Sequence, residues 1–182
     1  IYAVENQLNV LQPDKLKNPE FLAELSALKA DLQVVVAFRM LPEIVWNMPR
    51  LGTFNLHGSL LPNYRGAAPL NWAVINGETK TGVTTFLLDH KIDTGKILFK
   101  KEIAIGENDT VGDIHDGLME IGAKLVLETV DVLASGNYSA IPQSEIMDEA
   151  DIKHAPKIFK DDCKIDWTKD SETIRNMIRG LS

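Results

Sequence analysis

From Thr53 to His57 the chain reads as a β-strand that runs straight into a rigid loop: Asn55-Leu56-His57-Gly58-Ser59-Leu60-Leu61-Pro62, then Arg65-Gly66. Side chains alternate along a strand, so Asn55 and His57 point to the same side. An amide and an imidazole therefore leave the strand together, and the Gly/Pro-containing loop fixes the backbone that follows. Parallel sheets build reaction sites at this place, outside the carboxyl ends of their strands.

Strands and helices alternate on both sides of that loop. Leu8 to Leu11 reads as a short apolar strand. Asn18 is an N-cap with Pro19 at the first helical position, and Phe21, Leu22, Leu25 and Leu28 fall on one helical face. Leu32 to Phe38 is valine-rich and nearly all apolar, as in a parallel strand buried on both faces. Ala68 to Ile75 predicts a helix stopped by Asn76-Gly77, Val83 to Leu88 a strand, and Lys96 to Ile105 a more exposed strand. A long helix starts at Thr110, with Asp113 completing a partial capping box, and ends at Ser135-Gly136-Asn137. Its buried stripe is expected at Val111, Ile114, Leu118, Ile121, Leu125 and Val132. The pattern predicts an α/β fold: a Rossmann-like, mostly parallel sheet with helices on both faces. Residues 140–160, with two prolines and mixed charge, read as a linker. Cys163 to Trp167 then reads as a short strand and Ser171 to Leu181 as an N-capped helix. The expected units are 1–139, the linker 140–160, and 161–182 as the start of a second, small domain.

Composition narrows the functional classes. The 182 residues are 45% hydrophobic and 25% charged, a balance suited to one globular core. No apolar run approaches the roughly 20 residues that cross a bilayer. One cysteine, Cys163, excludes an internal disulfide framework and fits a reducing, cytoplasmic setting. The net charge of −7 argues against strong nucleic-acid binding by this stretch alone. His90, His115 and His154 read as solvated or locally bonded; no two have metal-ligand spacing, so no metal is expected. Trp46, Trp72 and Trp167 read as packing residues. No Gly-x-Gly-x-x-Gly supports a dinucleotide site.

The Asn-x-His-x-Ser-Leu-Leu-Pro pattern, with Ile92-Asp93-Thr94-Gly95 downstream, resembles the folate-dependent formyltransferases, and among them the methionyl-tRNA formyltransferases. The resemblance runs from Leu11-Gln12-Pro13 through Val36-Ala37-Phe38 to the tail Ala155-Pro156-Lys157-Ile158, Ile165-Asp166-Trp167 and Ile178 to Ser182. It implies an internal fragment that lacks the first strands of its sheet and ends at the beginning of a carboxyl-terminal tRNA-binding domain. It also implies that most of the grip on tRNA lies in regions absent from these residues, which accommodates the negative charge. Ala67, where sugar-nucleotide formyltransferases commonly carry Arg, favours the tRNA enzymes.

Formyl transfer needs a donor aimed at a tetrahedral oxyanion, a group that carries a proton, and a neighbour that sets that group's protonation state. By resemblance, Asn55, His57 and Asp93 take these roles. The co-substrate is expected to be 10-formyltetrahydrofolate, held by Ser59, Leu60, Leu61 and Pro62, by Arg39, Met40 and Leu41 in the segment from Phe38, and by Asp89 and His90 in the loop to Asp93. Arg65 is expected to contact the acceptor or to support the loop. The implied acceptor is the amino group of methionyl initiator tRNA, and the implied working unit a monomer. An amino-sugar nucleotide as acceptor, or a folate-binding fragment without catalysis, are the alternatives.

Overall fold

The computed structural model describes residues 1–37 and 40–182. The elements are α1 (Tyr2–Glu5), α2 (Pro19–Ala27), β1 (Gln33–Val36), α3 (Glu43–Trp46), β2 (Thr53–His57), β3 (Arg65–Gly66), α4 (Pro69–Ile75), β4 (Lys80–Leu87), β5 (Ile97–Ala104), α5 (Val111–Ser135), β6 (His154–Ala155) and α6 (Ser171–Gly180). Short 3-10 turns occupy Gln143–Glu145, Glu149–Asp151 and Lys160–Cys163.

Four strands form one sheet in the order β1-β2-β4-β5, and β3 pairs with β6 in a separate parallel ribbon. The α/β class expected from the sequence holds. Within these residues β1 and β2 are parallel, whereas β2/β4 and β4/β5 are antiparallel. A parallel return needs a crossover of about a dozen residues or more. Residues 88–96 between β4 and β5 are too few, so those two strands close as a hairpin.

Register assigns the faces. Phe54 lies opposite Leu87 and Leu56 opposite Thr85, while Asn55 lies opposite Phe86 and His57 opposite Thr84. The first set packs under α5: Phe54 clusters with Leu98 and Leu133, and Leu56 and Val83 pack with Leu118 and Leu125. On the opposite face, Leu61 packs on Phe86 and Ile97, and Thr53 Oγ1 donates to the Trp46 carbonyl of α3. Helices thus lie on both faces, and the face carrying Asn55 and His57 is also roofed by the loop after β2.

Thr110 Oγ1 accepts from Asp113 N while the Asp113 carboxylate accepts from Thr110 N, so the capping box of α5 is complete. Such a cap contributes about 1 kcal/mol. At the other end Gly136 closes the helix at φ 70°. The buried stripe is Ile114, Leu118, Gly122, Leu125, Thr129 and Leu133, with the expected Val132 only half-buried. A strict seven-residue repeat drifts about 20° per heptad on a straight helix. After Leu118 and Leu125 that drift hands the core position to Leu133.

Two other expectations are corrected. Leu8 to Leu11 is not a strand, because no neighbouring strand among the described residues offers it backbone partners; Leu8 and Val10 are exposed. Cys163 to Trp167 is not a strand either. The Asp162 carboxylate accepts from Phe159 N and winds Lys160–Cys163 into a 3-10 turn, and Trp167 is 77% exposed rather than packed. Among the described residues β1 pairs with β2, and Val34 and Val36 are exposed.

The segment from Ala140 to Lys160 is not a loose tether. Ile141 bridges to Ile97, Gln143 and Ile152 are buried, and β6 lies along β3 with Gly66 opposite Ala155. Beyond it, α6 docks on α4: Asn71 Nδ2 donates to the Gly180 carbonyl at 2.7 Å.

Candidate active site

β2 delivers Asn55 and His57 to one face, as strand alternation requires. His57 is buried, edge-on to Phe86, with its Nε2 2.8 Å from the Tyr64 carbonyl. A carbonyl only accepts, so Nε2 carries the proton there. Nδ1 is left facing the Asp93 carboxylate, 3.9 Å from Oδ2. That separation is too long for a hydrogen bond. Catalytic contacts of this kind commonly tighten only when substrates arrive. Asn55 Oδ1 is buried with no partner among the described residues. An orphaned buried acceptor costs about 1–3 kcal/mol. A fold keeps such an atom most readily where an incoming ligand satisfies it.

Asp93 is held against strain. Its φ of 55° is left-handed, a conformation that costs a non-glycine residue about 1–2 kcal/mol. Its Oδ2 accepts from Gly66 N at 2.9 Å, a charge-assisted bond of about 1.5–3 kcal/mol, which offsets the strain. Only glycine can serve at position 66, because a Cβ there would lie 2.3 Å from the Ala155 carbonyl oxygen at φ 127°. The Asp93 carbonyl is also engaged. Gln143 Nε2 donates to it at 2.8 Å and to the Gly95 carbonyl at 2.9 Å.

Of the expected folate contacts, Ser59, Leu61 and Pro62 are buried and Leu60 is half-buried. Thr84 clamps this loop: its Oγ1 donates to the Ser59 carbonyl and accepts from Leu61 N. Met40, Leu41 and His90 line an open cleft of about 440 Å³ together with Pro42, Glu43 and Trp46. Asp14, Lys15, Leu16 and Lys17 complete the lining, so apolar and charged or polar residues share it about equally. His90 stands edge-on to Trp46, and the exposed Asp89 turns back to accept from His90 N. Arg39 and Phe38 lie outside the described residues.

Arg65 supports the loop. It is buried, its Nε donates to Gln143 Oε1, and its Nη1 meets both Glu149 oxygens at 2.9 and 3.0 Å. Gln143 was invisible as a site residue in the sequence, where it sits in a weakly periodic stretch. Its one signal, a glutamine directly after Pro142, is not specific. Among the described residues, no group of three or more His, Cys, Asp and Glu side chains is placed to hold a metal ion. No described helix is long and apolar enough to cross a membrane.

A second network braces the Tyr64 carbonyl that holds His57. The Tyr64 phenol donates to Glu78, and Lys153 donates to the same carboxylate oxygen. Burial, then the bond to Glu78, raises the Tyr64 pKa well above the ordinary tyrosine range. For Glu78, burial works against the charge, but the hydrogen bonds from Lys153 and Tyr64 outweigh it and hold the carboxyl below its ordinary 4.5. A depressed folded pKa gives stability that is present above 4.5 and lost as pH falls through the lower folded value. Glu78→Gln is therefore expected to lower the melting temperature at neutral pH, with the gap from wild type closing below that window. Thermal melts from pH 7 to pH 3 check this, and a gap that stays constant refutes it.

Comparisons with known proteins bear on the same residues. The formyl transferase family matches residues 2–130, and the formyl transferase C-terminal domain matches residues 157–182. Methionyl-tRNA formyltransferase of Parabacteroides distasonis is 63% identical over 182 residues, and that of Bacteroides fragilis 58% over 181. In both cases all of this chain is covered but 56% of the relative, so the chain spans about half the length of the curated relatives it matches. A sugar N-formyltransferase from a Shewanella species has a TM-score of 0.78 at 22% identity, covering 100% of this chain and 70% of that one. HypX from Aquifex aeolicus in complex with tetrahydrofolic acid has a TM-score of 0.73 at 23% identity, covering 90% and 28%. At these identities the two structures speak to the fold alone.

Proposed function

The chain belongs to the formyl transferase family, and from that membership we propose that it carries the reaction centre of an enzyme that formylates the amino group of methionyl initiator tRNA. The observation that carries this reading is the approach of His57 Nδ1, at the end of β2, to within 3.9 Å of Asp93 Oδ2, with Asn55 on the same face of the strand. The choice of acceptor follows the methionyl-tRNA formyltransferases, to which the chain is 58–63% identical. Residues 1–139 are the catalytic unit, 140–160 join it to a carboxyl-terminal unit beginning at 161, and the whole protein grips tRNA mostly outside these residues. The setting is initiation of translation in the cytoplasm, with a single chain as the working unit.

10-Formyltetrahydrofolate, when bound, supplies the one-carbon acyl group and a nitrogen that leaves as an amine. The cleft lined by Met40, Leu41, Trp46 and His90 is the part of this chain that receives its flat ring, with Trp46 and His90 as the aromatic surfaces. The Asn55 amide is a fixed neutral group at the oxygen that becomes negative when the amine nitrogen bonds the formyl carbon. His57 Nδ1 takes the proton shed by that nitrogen and returns it to the departing nitrogen as the tetrahedral centre collapses. Asp93 stabilises the imidazolium between those two events and orients its ring. No covalent bond to the protein is needed, and the buried Ser59 hydroxyl, which donates to the Asn63 carbonyl, is not a nucleophile.

Purified full-length protein with 10-formyltetrahydrofolate, offered charged initiator tRNA and an amino-sugar nucleotide in parallel, tests both levels. The tRNA is expected to be formylated about 100-fold faster or more, since a site built for one acceptor leaves polar groups unpaired with the other. Preference for the sugar would overturn the acceptor, and transfer to neither would overturn the reaction.

A further inference from the structure

We propose that Gln143 is a positioning residue for formyl transfer: its side-chain amide sets the backbone from which Asp93 aims at His57. The inference rests on Asn55, His57 and Asp93 being the reacting set. Gln143 lies between the two stretches that match the family's domains, residues 2–130 and 157–182.

The amide has one possible orientation. Arg65 has only donors, and its Nε lies 2.9 Å from Gln143 Oε1. The oxygen end therefore faces Arg65, and the NH₂ end must face the Asp93 loop. Its two hydrogens meet two carbonyls, those of Asp93 and Gly95, on either side of Thr94. These bonds hold Asp93 in its left-handed conformation, from which Oδ2 reaches both Gly66 N and the approach to His57. Arg65 is fixed in turn by the two-oxygen grip of Glu149. The chain of contacts runs inward from Glu149, 75% exposed, through Arg65 and Gln143, 8% and 3% exposed, to the carboxylate.

A purely structural glutamine and a positioning one differ in what Gln143→Glu does. The carboxylate keeps the shape and gains an ion pair with Arg65, so packing is preserved. At Asp93, however, it replaces a donor with an acceptor that repels both carbonyls. In the full-length protein, Gln143→Glu and Gln143→Ala are expected to lower kcat about 10- to 100-fold, since misplacement by an ångström costs about that much, with KM for both substrates nearly unchanged. Thr129→Ala is the control. It breaks a buried bond to Thr85 on the far face of the sheet and should lower stability while leaving kcat within about twofold. The second readout needs no turnover: the His57 Cε1–H resonance of ligand-free protein labelled at histidine. It is expected to move in both Gln143 variants, and to move no further when Gln143→Ala is added to Asp93→Ala. Because this signal is read without substrate, it judges the relay even if the enzyme formylates nothing. A His57 resonance unmoved in the Gln143 variants overturns the proposal, as does kcat that falls no more than in Thr129→Ala.

Discussion

Alanine at His57 in the full-length protein is expected to lower kcat for formylation about 10³-fold or more, from lost proton transfer and from lost stabilisation of developing charge. Each effect alone is worth about 10²-fold or more, and the two fall together because one imidazole serves both. Asp93→Asn keeps the shape and an acceptor for Gly66 N but removes the charge facing Nδ1. It is expected to cost about 10²-fold in kcat. KM for either substrate should change little, because neither group is required to hold the ground state. Single-turnover kinetics with saturating co-substrate separate the chemical step from binding. Retention of a tenth of wild-type kcat by His57→Ala would refute the assignment. Thermal melts of the same variants guard against a trivial loss of fold, since removing the ring leaves the Tyr64 carbonyl without its donor.

Gly95→Ala is expected to be the most damaging small substitution in the site loop, and for a steric reason. A Cβ at position 95 would lie 1.6 Å from the Leu87 carbonyl oxygen and 2.9 Å from its carbon. Leu87 cannot yield, because its N–H donates to the Lys96 carbonyl and the neighbouring Phe86 is fully buried in the sheet. The hairpin between β4 and β5 must therefore open, carrying Asp93 and Thr94 away from Gly66. A loss of roughly 3–5 kcal/mol places this change in the exceptional tail of single substitutions. For a chain of this size that corresponds to roughly 6–20 °C in melting temperature. The same opening removes both carbonyls from Gln143, so activity falls beyond the loss in folded population. Differential scanning calorimetry, with activity measured well below the transition, checks both parts. A melting temperature within about 2 °C of wild type would show that the hairpin has slack the geometry does not reveal.

Much of this was legible in the linear chain, where local rules suffice. Two-residue alternation put Asn55 and His57 on one face, and capping chemistry located α2 at Asn18-Pro19 and α5 at Thr110. The alternation of strands and helices indicated the α/β class. Local rules failed where the outcome depends on what lies alongside. Leu8 to Leu11 has strand composition but no partner strand among the described residues, and Val132 lost its core place to Leu133 through helical drift.

The sequence by itself determined that Asn55 and His57 share one face of a strand, through two-residue alternation, and pointed to Asp93 through its resemblance to the formyltransferases. The tertiary structure alone decided how they are held. Asp93 is separated from Gly66 by 27 positions and Gln143 from Asp93 by 50, and no periodicity links such distances. The backbone of one loop satisfies the carboxylate of another, and a segment resembling a linker is drawn into the site because buried carbonyls demand donors from whatever lies nearest.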